Sequence, residues 1–133
     1  MLVTLPLERE SKILRSGIIR LRRLGIVLFR RNIGGMRIKE EDGDARYIAY
    51  ASPGQADTYG WEIRTGRHWE IEWKRPGRRP TPLQLQWLRD SSIYGAVAFW
   101  ADNVNTAERV AEAVLAGGKI VWGDGDEFNV EMS

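Results

Sequence analysis

A chain of 133 residues has room for one domain, which would bury roughly two-thirds of its unfolded surface. The absence of cysteine excludes disulfide staples, thiolate metal sites and a cysteine nucleophile, and no run approaches the ~18 apolar residues of a membrane span. The net charge of +2 is too small to point to nucleic acid alone, but it is unevenly spread. Arg and Lys dominate from Arg9 to Lys39, while Asp124, Asp126, Glu127 and Glu131 make the tail acidic. An arginine-rich half suits phosphate contacts, and suits equally well the solvated side of a helix. Pro6 is followed by charges and not by the apolar core of a signal peptide, so the expected compartment is intracellular.

Residues 7 to 24 read as an amphipathic helix, with Leu14, Gly17/Ile18, Leu21 and Leu24 on one stripe and most arginines off it. Glu10 lies one turn before Leu14, on that stripe; a carboxylate there also suits the positive end of the helix. Gly25 closes the helix and IVLFR (26 to 30) is a short strand. Residues 32 to 46 read as a loop containing Gly34-Gly35 and the acidic run EEDGD, flanked by Arg30, Arg31 and Arg37. Paired glycines permit a plain turn or a close approach of backbone to a phosphate. The expectation is that Arg30, Arg31, Gly34, Gly35 and Arg37 contact a DNA backbone. RYIAYA (46 to 51) reads as a second strand, and SPGQ as a turn.

DTYGWEI and HWEIEWK then read as a β-hairpin turning at Arg64–Arg67. With a two-residue loop, Thr65-Gly66, Asp57 lies opposite Lys74, Tyr59 opposite Glu72 and Trp61 opposite Glu70. Side chains alternate along a strand, so Asp57, Glu70, Glu72 and Lys74 share a face with Trp61 and the lone His68. Adjacent carboxylates repel, and a hard divalent cation with oxygen ligands relieves them. A lysine beside such a cation positions or deprotonates water. The alternative is an amphipathic hairpin with a solvated charged face, and spacing alone does not separate Glu70 from Glu72 as ligand.

RPGRRPTP follows, a basic loop whose Arg75, Arg78 and Arg79 stand beside the acids, either facing a phosphate or as solvated linker. Thr81-Pro82-Leu83-Gln84 is a helix start in which Thr81 and Gln84 form a capping box. GAVAFWA (95 to 101) has the pattern of a strand covered on both faces, and Asn105 is placed to cap a last helix. Ile120–Trp122 is a candidate edge strand. The GDGDE run lacks the ligand spacing of a calcium loop and reads as an acidic turn. There is no phosphate-binding GK[ST], no GxSxG and no HExxH.

PGQAD followed by EWK resembles the PD-(D/E)xK nuclease superfamily and, more narrowly, the virus-type replication-repair nuclease (VRR-NUC) domain. Glu10, RRNIGG at 30 to 35, TPLQ at 81 to 84 and GAVAFWA at 95 to 101 match that domain in order. The likeness covers roughly residues 8 to 115 of a single domain spanning 1–133, leaving 116–133 as an acidic extension. Ala56 stands where the superfamily usually has proline, and Trp73 where a smaller apolar residue is common. The resemblance implies an α/β core, a mixed sheet flanked by helices in the order α-β-β-β-α-β-α. It implies Mg²⁺ or Mn²⁺ held by Asp57, Glu72 and the Trp73 carbonyl, with Glu10 binding directly or through water. Lys74 would activate the attacking water and Gln84 would support the site. The implied activity is a structure-selective DNA endonuclease, foremost a Holliday-junction resolvase acting as a homodimer on four-way junctions. It would work in the cytoplasm of a bacterium or phage-infected cell. A flap or restriction-type nuclease, or a non-catalytic DNA-binding module on the same fold, are the alternatives.

Overall fold

The computed structural model describes residues 9–32, 35–39, 43, 45–49 and 53–132, with the segments 35–39 and 45–49 as backbone. Helix α1 (Glu10–Arg22) buries Ile13, Leu14, Gly17 and Leu21, the stripe expected of a helix packed on one side. Strand β1 (Ile26–Arg30) follows, burying Ile26 and Leu28. The strand expected at 46 to 51 is β3 (Ala45–Ala49), and the stretch before it, read as a loop, instead carries β2 (Gly35–Lys39), which pairs antiparallel with β3 as a sheet of its own. Strand β2 is five residues long and lies between the paired glycines and the acidic run, so turn signals masked its short alternating pattern.

Strands β4 (Thr58–Glu62) and β5 (His68–Trp73) form the expected hairpin in a different register. Thr58 pairs with Ile71, Tyr59 with Glu70 and Trp61 with His68. The loop is therefore Ile63 to Gly66, closed by hydrogen bonds between Glu62 N–H and Arg67 C=O and between Gly66 N–H and Glu62 C=O. Glu62 explains the longer turn. Its buried carboxylate accepts from Thr65 Oγ1 (3.0 Å), Arg67 Nε (2.5 Å) and Trp69 Nε1 (3.1 Å), which ties the loop to the strands. Burial alone would raise the Glu62 pKa, and these hydrogen bonds outweigh it and hold the group below the usual carboxylate value. The shift relative to a two-residue loop is an even number, so every side chain keeps its face and the acids still converge.

After β5, helix α2 (Pro82–Ile93) crosses over to strand β6 (Val97–Ala101), which pairs parallel to β5. The main sheet runs β1-β4-β5-β6, mixed in sense. Helix α3 (Val104–Leu115) follows, capped by the Asn103 side chain and not by Asn105. Strands β7 (Gly118–Trp122) and β8 (Phe128–Met132) close the chain as a second separate hairpin. The protein has an α/β fold with a mixed sheet flanked by helices. Its main path α1-β1-β4-β5-α2-β6-α3 follows the expected order, with β2-β3 inserted and β7-β8 appended.

Helices α1 and α3 enclose one core with Ile71, Trp69, Trp73 and Phe99 from the sheet. Leu88 of α2 packs with Ala56 and Ala98 on the other face. The last hairpin belongs to the packed unit, since Ile120, Phe128 and Val130 lie against the first core. Its GDGDE turn is held by Arg89, which donates to the carbonyls of Gly123 (3.1 Å) and Gly125. One contact sets the height of α1 over the sheet. A Cβ at Gly17 would fall 2.2 Å from the Trp73 ring, so the large indole is accommodated because residue 17 has no side chain.

Candidate metal centre

The site begins with two strands side by side. Asp57 ends the PGQAD turn one step before Thr58, and the register carries Glu72 directly across from it. The pair is fixed from the backbone. Asp57 N–H donates to Glu72 Oε2 (3.0 Å) and Trp73 N–H donates to Asp57 Oδ2 (3.1 Å). Glu10, the first residue of α1, reaches the same place. One carboxylate oxygen each from Glu10, Asp57 and Glu72 lie within 4.8 Å of one another.

Two more of the expected residues join them. Lys74, its side chain 12% exposed, brings Nζ to 3.6 Å from Glu72 Oε1. Gln84 Nε2 donates to the same oxygen (3.0 Å) while its Oε1 accepts from Thr81 N–H (2.9 Å). Thr81 Oγ1 in turn accepts from Gln84 N–H (3.3 Å), completing the capping box. The capping and active-site readings of Gln84 are thus compatible, because opposite ends of one amide meet the helix and the acid. Gly54, at φ 88°, presses the turn before Asp57 onto Leu83, where a Cβ would lie 2.8 Å from the Leu83 carbonyl oxygen. That close approach sets the start of α2 beside Asp57.

Glu72 is buried, and burial together with the nearby Asp57 carboxylate pushes its pKa up to about 9 from 4.5. Below about pH 4.5 the group is protonated in folded and unfolded chains alike. Between 4.5 and about 9 the unfolded chain ionises it and the metal-free folded protein does not, so stability falls as pH rises through that window. Metal-free thermal melts from pH 5 to 9 should therefore show a decline that Glu72→Gln removes. A melting temperature indifferent to that substitution at both ends of the range would contradict the assignment.

The donor set suits a hard divalent cation. All three side chains offer oxygen, the carboxylates repel one another, and Lys74 is the cation that directly offsets Glu72. Glu70, the other candidate ligand, is committed elsewhere. It is 1% exposed and accepts from Arg31 at both oxygens (2.7 and 3.0 Å), from Trp87 Nε1 (2.6 Å) and meets His68 Nε2 (2.6 Å). Arg31 also donates to the Ala56 carbonyl (3.0 Å) and lies over the rings of Tyr59 and Trp87. Its placement is that of an internal counter-ion and not of a side chain reaching for phosphate. Arg30 is exposed, in a cavity of about 610 Å³ that also takes in Glu10 and Asp57. On the other side of Glu10, Arg75, Arg78 and Arg79 border a second cavity of about 390 Å³ with Lys74. Arg79 is already paired with Asp126 (2.7 Å). Arg9 lines this cavity too; the sequence reading missed it, although it directly precedes Glu10. Gly34 lies outside the described residues, and Gly35 and Arg37 fall on β2, where the backbone alone is described.

A scan against protein-family models and searches of curated proteins and of solved structures return no match to this chain.

Proposed function

We propose that the protein is a Mg²⁺- or Mn²⁺-dependent DNA endonuclease of the PD-(D/E)xK type, built like a VRR-NUC domain. The observation that carries this reading is the meeting of Glu10, Asp57 and Glu72 oxygens within 4.8 Å, with Lys74 at 3.6 Å from Glu72. Glu10, Asp57 and Glu72 would hold the ion, which when bound lowers the pKa of water and neutralises charge at a phosphodiester. Trp73 N–H fixes one oxygen of Asp57 and Gln84 fixes one of Glu72, which holds both carboxylates beside Glu10. Lys74 is placed to orient the attacking water and offset charge on the phosphate. Arg30 on one side of the acids and Arg75 and Arg78 on the other give phosphates on either side of the cut a cationic flank.

The preferred substrate in this reading is branched DNA, foremost a four-way junction. A two-fold homodimer would present two such centres to two symmetric strands, which one small domain cannot. The test is incubation with labelled four-way junction, flap and linear duplex, in Mg²⁺, in Mn²⁺ and in chelator. Metal-dependent paired nicks confined to the junction are expected. Equal cutting of all three keeps the nuclease and discards the resolvase. Binding without cutting in either metal leaves a non-catalytic DNA module.

A further inference from the structure

The sheet register places an aromatic surface beside the acids. Asp57, Tyr59 and Trp61 point to one face of β4, and the pairing sets Phe29 of β1 opposite Tyr59. Tyr59 therefore stands two residues, ~7 Å, along the strand from Asp57. Phe29 and Trp61 are 41% and 44% exposed, with ring centres 5.4 Å apart, and Phe29 lies 6.1 Å from Tyr59. Helix α2 packs on this face over β5 and β6, where Leu88 meets Ala98. The other five tryptophans behave as core residues do, each indole N–H bonded to the protein. Trp61 has no such partner among the described residues.

Charge says what such a surface fits. Arg30, exposed, follows Phe29 at the end of β1 with its side chain on the other face, in the cavity that holds Glu10 and Asp57. Arg64, also exposed, stands at the far end in the loop after β4. Rings that run along β4 to Asp57, with a cation beyond each end, match a strand whose bases stack while its phosphates pass the arginines. A paired duplex keeps its bases inside and has no flat faces to offer.

We infer that Phe29 and Trp61 form a stacking platform for unpaired nucleotides, so that the strand bound next to the acid cluster is single-stranded there. The inference rests on the nuclease reading for the meaning of that cluster, but it is tested by binding alone. The probes are labelled oligothymidylate and a blunt duplex, titrated in chelator against wild type, Phe29→Leu, Trp61→Leu, Trp61→Phe and Lys74→Ala. Leucine keeps apolar bulk while removing the ring, and thermal melts check that each variant folds. Loss of one base–ring stack should weaken oligothymidylate binding about 5- to 150-fold. Trp61→Phe should recover most of it, Lys74→Ala should leave the ring dependence intact, and duplex affinity should not follow the rings.

Oligothymidylate affinity unchanged in both leucine variants overturns the inference, as does equal loss toward duplex. So does a wild type that does not bind the oligonucleotide. If the leucine variants instead convert a dimer to a monomer by light scattering, the face is a self-association surface and the inference falls. Ring-dependent oligonucleotide binding in a protein that cuts nothing retains the platform and removes the nuclease. Cutting that ignores both rings does the reverse.

Discussion

Glu72→Gln should abolish divalent-metal binding and cleavage together, while Lys74→Ala should keep the metal and lose about 10²–10⁴-fold in rate. The two substitutions separate because the side chains have different tasks. Glu72 contributes an oxygen to the cluster, whereas Lys74 stands beside the Glu72 carboxylate with no oxygen of its own to offer a metal. Folding does not confuse the result. The Glu72 carboxyl is pushed up to about 9 in the metal-free protein, so a neutral amide of similar shape removes a buried liability at pH 8. The glutamine variant should melt no lower than wild type there, and isothermal titration with Mn²⁺ should give no heat. Retained metal binding in Glu72→Gln would remove Glu72 from the ligand set.

Arg31→Ala should cost about 3–5 kcal/mol of stability, a fall in melting temperature on the order of 10–20 °C. The guanidinium makes two hydrogen bonds to Glu70, a carboxylate with 1% exposure, and deleting it leaves that charge with only His68 and an indole N–H. Arg30→Ala, one residue earlier and exposed, should leave the melting temperature unchanged and weaken DNA binding with a shallower salt dependence. Two adjacent arginines thus divide into one that holds the fold and one that faces solvent. Similar melting temperatures for the two variants would refute the division.

Much of the site was legible because its signals are local. Strand alternation alone sets Asp57, Glu70, Glu72 and Lys74 on one face, and an even error in register left that conclusion standing. The Thr81–Gln84 capping box is contained in four residues, and the structure has it as read. What was not legible depends on partners distant in sequence. Glu70 and Glu72 are equivalent by period; Arg31, from 39 residues away, makes the difference between them. The salt bridge of Arg79 joins it to a turn 47 residues later. Strand β2 escaped, though its partner β3 was expected, because a five-residue strand beside glycines carries weak alternation. Asn103 displaced Asn105 as cap because a helix boundary is set by packing as well as by the capping residue.

The chain leaves the main sheet at Arg31 and returns at Asp57, and there the Arg31 N–H is hydrogen-bonded to the Asp57 carbonyl at 2.7 Å. Whatever lies between these two residues is cinched at its base like the neck of a purse. Lengthening such a segment costs only about 0.6 kcal/mol per doubling in closure entropy. The intervening stretch can therefore be exchanged between descendants of this gene while β1 and β4, and Asp57 just before β4, stay where they are. The base of that segment lies at Asp57, so in the proposed nuclease its variation would leave the metal ligands in place.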